Sequence, residues 1–146
     1  GEYADERGLT RCKGCPGAYN TSERGASSLV ECMCPEGTYE PDGEYETPVC
    51  TPCPVAMKCE WGSQEANLYN GSAARDELRI PEATLGYMTL TERPLQPYRC
   101  RDKEVCPGGW PGSCNHGFDS SAVACGECRN GHYKSTGAAC HDCGSW

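Results

Sequence analysis

Apolar side chains are thinly and unevenly spread along this 146-residue chain. Of its Leu, Ile, Val and Phe residues, six fall between Glu60 and Arg99: Leu68, Leu78, Ile80, Leu85, Leu90 and Leu95. Tyr69, Tyr87 and Met88 accompany them. A structureless loop of this length is uncommon in a compact domain, so the stretch has to form elements of its own. Its pattern predicts one or two helical turns over Ala73 to Leu78, stopped before Pro81, and a strand of alternating character over Thr84 to Thr91. The remaining apolar residues are scattered through residues 1–59 and 100–146 among Gly, Pro and charged residues.

Those flanking segments are where the cysteines lie. Cys12, Cys15, Cys32, Cys34, Cys50, Cys53 and Cys59 occupy the first, and Cys100, Cys106, Cys114, Cys125, Cys128, Cys140 and Cys143 the second. The chain thus divides into an N-terminal cysteine-rich block (1–59), a cysteine-free bridge (60–99) and a C-terminal cysteine-rich block (100–146). Within the blocks one unit recurs, a close cysteine pair followed by Gly and Tyr, a dozen or so polar residues, and another close pair. Gly17 and Tyr19 lead to Cys32 and Cys34; Gly37 and Tyr39 lead to Cys50 and Cys53; Gly131 and Tyr133 lead to Cys140 and Cys143. The Gly permits a positive φ where the chain turns, and the Tyr ring is placed to cover the neighbouring disulfide. Turn residues at Pro41 to Glu44 and at Ser135 to Gly137 mark the hairpin tips, where Glu40, Asp42, Glu44 and Glu46 read as solvated.

Composition sharpens this picture. The 14 cysteines equal in number the 14 aliphatic and Phe residues. Apolar content this low, with 18 Gly, 11 Pro and a net charge of -8, would by itself read as disorder. Covalent staples have to stand in for a core. The fold class expected is small and disulfide-rich: irregular short β-hairpin modules in a linear array with little helix. All 14 cysteines are expected in disulfides, with Cys15–Cys32, Cys34–Cys50 and Cys128–Cys140 favoured by the repeat. Such loops each stabilise by on the order of 3 kcal/mol. Because Cys59 and Cys100 flank the bridge, it is either closed by a disulfide or lies between modules tethered to each.

Several functions are disfavoured. No apolar run is long enough to span a bilayer, and a pI near 4.8 with scattered Lys and Arg argues against nucleic acid. No dinucleotide, P-loop, nucleophile-elbow or HExxH motif is present. His116, His132 and His141 are too dispersed for a triad, so no catalytic residue is assigned, and no cofactor or metal is expected. The lack of an initiating Met and of a leader suggests a mature form or an excised part of a longer chain. Two other readings of the cysteines compete. CxxC pairs at Cys12/Cys15, Cys50/Cys53, Cys125/Cys128 and Cys140/Cys143 suit half-sites of a zinc adaptor in a reducing compartment. Cys125/Cys128 and Cys140/Cys143 could serve redox catalysis, but that normally needs a thioredoxin-like setting, which is missing. Calcium at Asp42, Glu44 and Glu46 would need more converging oxygens.

Asn20-Thr21-Ser22 and Asn70-Gly71-Ser72 match the N-glycosylation triplet, making Asn20 and Asn70 candidate acceptors. Trp61 and Trp110 are candidate anchors for a partner, with Trp110 favoured because its Gly and Pro neighbours give little cover. Leu85, Tyr87 and Met88 join it as the expected partner-binding surface, the bridge being the sole core-like or partner-seeking stretch.

The run from Tyr98-Arg99-Cys100 through Cys106-Pro107-Gly108-Gly109-Trp110-Pro111-Gly112-Ser113-Cys114, then Gly117, Cys125-Gly126-Glu127-Cys128 and Gly131-His132-Tyr133, resembles the cysteine-rich ectodomain signature of large protist and algal surface proteins. Those contain ephrin-receptor-like modules, relatives of TNF-receptor and EGF-like repeats. Cys34-Pro35-Glu36-Gly37-Thr38-Tyr39 to Cys50-Thr51-Pro52-Cys53-Pro54 is similar to the ephrin-receptor-like module itself, and Gly86-Tyr87 fits its lead-in. The resemblance covers Cys12 to Cys143. It implies a non-enzymatic, extracellular or cell-surface interaction element, part of a larger membrane-associated assembly and binding protein partners or neighbouring modules. A complete soluble subunit on the oxidising, lumenal face of a membrane complex is the alternative.

Overall fold

The computed structural model describes residues 1–70, 75–136 and 139–144. It falls into two units, one of Gly1–Cys53 and Cys59–Pro81, the other of Pro54–Lys58 and Glu82–Trp146. The expected bridge is therefore not a body of its own: residues 60–81 belong to the first unit and 82–99 to the second. Among the described residues every sheet has two strands, and the longest helical element is the 3-10 turn Glu65–Tyr69. The fold is small and disulfide-rich, built of short antiparallel hairpins.

Four of these hairpins share one register. Glu2 faces Gly14 and Tyr3 faces Lys13; Thr38 faces Pro52 and Tyr39 faces Thr51. Tyr87 faces Arg99 and Met88 faces Tyr98; His132 faces Asp142 and Tyr133 faces His141. Each is closed by the same hydrogen bond, from a cysteine N–H to the carbonyl of the leading glycine: Cys15 to Gly1, Cys53 to Gly37, Cys100 to Gly86 and Cys143 to Gly131, at 2.8 to 2.9 Å. Gly37, Gly86 and Gly131 all lie near φ +84, the left-handed region that only glycine enters without strain. The hairpin after Gly17 keeps the positive φ but is slipped, with Asn20 facing Met33 and Thr21 facing Cys32. There the close pair is Cys32-Met33-Cys34, one residue shorter than CxxC.

Among the described residues of the bridge the helical elements are two 3-10 turns, Glu65–Tyr69 and Arg75–Glu77. Arg75–Glu77 forms a single 3-10 turn closed by Leu78 N–H to Arg75 carbonyl; Ala73 and Ala74 lie outside the described residues. Pro81, which has no N–H to give, already begins the strand Pro81–Ala83. The predicted strand is shorter than expected, Tyr87–Leu90, because Thr84 to Tyr87 is a turn. It does not alternate: Met88, Thr89 and Leu90 are all buried. Both faces are covered, since Met88 and Leu90 enter the core while Thr89 accepts a bond from Gly112 N–H through its carbonyl.

That core belongs to the second unit. Met88, Leu90 and Phe118 pack with Cys100, Cys106, Cys125 and Cys140. Of the bridge's apolar side chains only Met88 and Leu90 enter this core, and Phe118 with four cysteines of the C-terminal block supplies the rest; Ile80 is buried in the first unit, and Leu85 and Tyr69 are exposed. Cystine sulfur is apolar and polarizable, so it fills core volume as well as closing loops. In the first unit the buried residues include Ala26, Cys32, Cys34, Tyr39, Cys59, Ile80 and Pro81, together with Ser63, whose hydroxyl donates to the Glu60 and Ile80 carbonyls.

Candidate interaction surface

The staples set what the surface can display. Six disulfides join Cys15–Cys32, Cys34–Cys50, Cys53–Cys59, Cys100–Cys106, Cys114–Cys125 and Cys128–Cys140. From Cys15 to Cys140 the cysteines bond in successive pairs, first with second, third with fourth and so on, so the two members of a CxxC do not bond each other. Cys59 and Cys100 bond to Cys53 and Cys106, and the bridge is not closed by a disulfide. The expectation of seven bonds fails at its ends: Cys12 and Cys143 are exposed free thiols. The pairing is out of phase with the count, so an even number of cysteines still leaves one over at each end. Sγ of Cys106 and of Cys125 approach to 3.3 Å, and those of Cys100, Cys106 and Cys125 all lie within 4.8 Å of one another. All three are in disulfides, and the cluster is the sulfur part of the core.

Of the expected partner-binding residues, the second unit brings three to its surface. Leu85 is 65% exposed at the turn between Pro81–Ala83 and Tyr87–Leu90, and Tyr87 and Trp110 are half-buried. Backbone bonds hold the two loops together. Ala83 and Gly109 exchange N–H to carbonyl bonds at 3.1 and 2.8 Å, and Gly112 N–H donates to the Thr89 carbonyl at 2.7 Å. The approach is so close that a Cβ on Gly108 would stand 2.5 Å from the Ala83 carbonyl oxygen. The glycines around Trp110 therefore serve docking of the loop as well as exposure of the ring. Met88 is a correction: at 1% exposure it is a core residue, facing inward where its neighbour Tyr87 faces out.

The same unit contains two features that the sequence did not reveal. A cleft of about 460 Å³ has Phe118 and Cys125 in its wall and Arg101, Asp102 and Lys134 among its polar lining residues. Nearby in the chain, Arg129 reaches both His116 and His132 at 3.2 to 3.3 Å, and His132 Nε2 lies 2.7 Å from Asp142 Oδ1. His132 and Asp142 are cross-strand partners, so the pair fastens the last hairpin; only its register, invisible without the fold, joins them. His141 instead stands beside Tyr133, with ring centroids 5.8 Å apart.

In the first unit, Asn20 and Asn70 are both exposed; Gly71 and Ser72 of the second triplet lie outside the described residues, as does Gly137 of the expected tip. Glu40 is not the solvated tip residue expected. It accepts from Tyr19 Oη at 2.6 Å and from Gln64 Nε2 at 2.7 Å, while its backbone pairs with Ser63 and Glu65. Burial and the Glu40 carboxylate push the Tyr19 phenol up to about 12. Tyr39 is buried, whereas Tyr133 is half exposed, so the repeated tyrosine does not play one role throughout. Leu29 and Val30, on a 3-10 turn held by a capping box between Ser28 and Glu31, remain exposed at the rim of a hollow of about 270 Å³.

The sequence is similar to a stretch of a known protein. The chain is 31% identical over 150 residues to "Cysteine repeat modular protein A" of Toxoplasma gondii, an alignment covering 92% of this chain and 4% of that protein. This chain is a cysteine-rich repeat module. No family model and no solved structure matches the module. Among its described residues no helix is long and apolar enough to cross a membrane, and its density of disulfides fits an oxidising environment.

Proposed function

We propose that this module is a non-enzymatic structural and protein-interaction element of a larger extracellular or lumenal protein, of the ephrin-receptor-like kind. The observation that carries the reading is the serial stapling: hairpins in one register, each second cysteine bonded forward to the next. Such a chain resists unfolding in the absence of a large core, which suits a spacer or docking surface exposed to an oxidising medium. Leu85, Tyr87 and Trp110 are the residues that would meet a protein partner, since two backbone-tied loops present them from a rigid base. Asn20 and Asn70 would carry glycans.

Mass analysis of the unreduced, denatured protein tests the staples: six disulfides with no stoichiometric zinc are expected, and mostly free thiols with bound metal would overturn the reading. Cross-linking in the native assembly tests the surface. A Leu85→Arg or Trp110→Ala variant should lose cross-links to a partner while retaining all six disulfides, and unchanged cross-links would remove those residues from the interface.

A further inference from the structure

The two free thiols occupy positions that are bonded in other copies of the same hairpin. In the hairpin led by Gly37, the cysteine three residues before the glycine, Cys34, bonds Cys50, which lies three residues before the closing Cys53. In the hairpin led by Gly131 the same two positions are Cys128 and Cys140, again bonded. In the hairpin led by Gly86 they are Ala83 and Pro97, so both halves of the staple are missing together. The two positions behave as one paired unit. In the hairpin led by Gly1, with the same register and the same closing bond from Cys15, the second position is Cys12. Its counterpart falls three residues before Gly1.

The closing cysteine obeys a companion rule. Cys15, Cys53 and Cys100 close their hairpins and then bond forward, to Cys32, Cys59 and Cys106. Cys143 closes the fourth hairpin and is free, and no cysteine follows it in residues 144–146. At the separations of 6 to 17 seen for the other three, a forward partner of Cys143 would fall after residue 146.

We propose that Cys12 and Cys143 are the inner halves of two disulfides shared with adjoining repeats of the same polypeptide, Cys12 with a cysteine three residues before Gly1 and Cys143 with one after Trp146. This rests on the reading of the chain as a module of a longer protein, and it names the partners of that module as its covalent neighbours. Each bond forms when two thiols give up two protons and two electrons to a disulfide-carrying oxidant, which leaves as a dithiol. The consequence is mechanical as well as thermodynamic. Every module would then be joined to the next through a CxxC whose two sulfurs belong to different staples, making the array covalently laced and resistant to stretching at its junctions.

The test is peptide mapping, without reduction, of the polypeptide that carries these residues in its source, with free thiols alkylated at lysis. Cys12 is expected to be cross-linked to the peptide running into Gly1-Glu2-Tyr3, and Cys143 to a peptide absent from residues 1–146. Alkylated Cys12 or Cys143 in a longer polypeptide, or a Cys12–Cys143 bond, would overturn the proposal. A source polypeptide of only these 146 residues would instead refute the modular reading beneath it. The 146-residue chain folded alone supplies a second measurement: two maleimide equivalents per native chain, both lost in Cys12→Ser/Cys143→Ser with the six disulfides intact. Fewer than two reactive thiols would mean that these cysteines are already partnered within the chain, against the proposal.

Discussion

The hairpin led by Gly37 and the hairpin led by Gly86 have the same register and the same closing hydrogen bond, yet they are held in different ways. The first has the Cys34–Cys50 staple across it and buries Tyr39 as its main side chain. The second has Ala83 and Pro97 at the staple positions and buries Met88 and Leu90 against Phe118 and cystine sulfur. One backbone plan is therefore compatible with either a covalent or an apolar closure. A staple acts largely by limiting the unfolded chain, whereas core packing acts on the folded one, and where one is present the other is dispensable.

The sharpest way to break this comparison is to remove each closure in turn. Met88→Ala is expected to cost about 3 to 4 kcal/mol, as truncation of a fully buried Met leaves a cavity that a cystine-walled core cannot collapse to fill. Amide exchange should report it at Cys100 N–H, the bond to Gly86, with Cys53 N–H unaffected. Cys34→Ala/Cys50→Ala should cost about 3 kcal/mol, with the reverse pattern: Cys53 N–H loses protection and Cys100 N–H keeps it. If either variant exposed both amides equally, the two closures would not be independent and the comparison would fail.

The next two effects refine the apolar side. Gly108→Ala introduces a side chain at φ +79, with its Cβ 2.5 Å from the Ala83 carbonyl oxygen. A loss of about 2 kcal/mol is expected from backbone strain and the displaced loop, read as a lower thermal midpoint and as freer Trp110 fluorescence quenching. In the other direction, Thr89 is fully buried and its hydroxyl makes no hydrogen bond among the described residues. Thr89→Val keeps the shape and removes an unmet polar group, so it should raise stability by about 1 kcal/mol. A destabilised Thr89→Val would show that the hydroxyl has a partner after all.

How much of this was legible in the chain follows from the range over which each signal acts. The Gly-x-Tyr turns behind Cys34 and Cys128 were readable because turn chemistry and cysteine spacing are local. So were the three favoured staples, each joining the neighbouring cysteines of one repeat unit. The hairpins led by Gly1 and Gly86 escaped notice as copies, the first because no cysteine precedes its glycine in the sequence, the second because Ala83 and Pro97 erase its cysteine signature. Met88 was misplaced for a related reason. Burial of both faces of Tyr87–Leu90 depends on a loop more than twenty residues downstream, and nothing in the local alternation announces that cover. Trp110 could be singled out by the scant cover of its Gly and Pro neighbours and Leu85 by its place in the apolar bridge, but their approach through Ala83 and Gly109 is a property of the fold.

The smallest expected effect concerns the stapled side, where so few side chains are buried that one phenol becomes informative. Tyr19 donates to Glu40 at 2.6 Å, and burial ahead of that carboxylate raises its ionisation from the ordinary 10.0 to about 12. In the unfolded chain the phenol loses its proton near the ordinary value, while in the native unit it keeps it. Between these limits the unfolded state binds fewer protons, so stability falls as pH rises. The contribution is therefore complete below pH 10 and is lost on passing through about pH 12. Burial also raises Tyr39 and Tyr69, so phenolate absorbance should show a late-titrating group of tyrosines whose amplitude falls by one phenol in Tyr19→Phe, and the variant should lose part of the alkaline decline in stability. If the late amplitude were unchanged in Tyr19→Phe, Tyr19 would not be among the late-titrating phenols, and the stapled unit would owe less to its buried side chains than even this sparse set suggests.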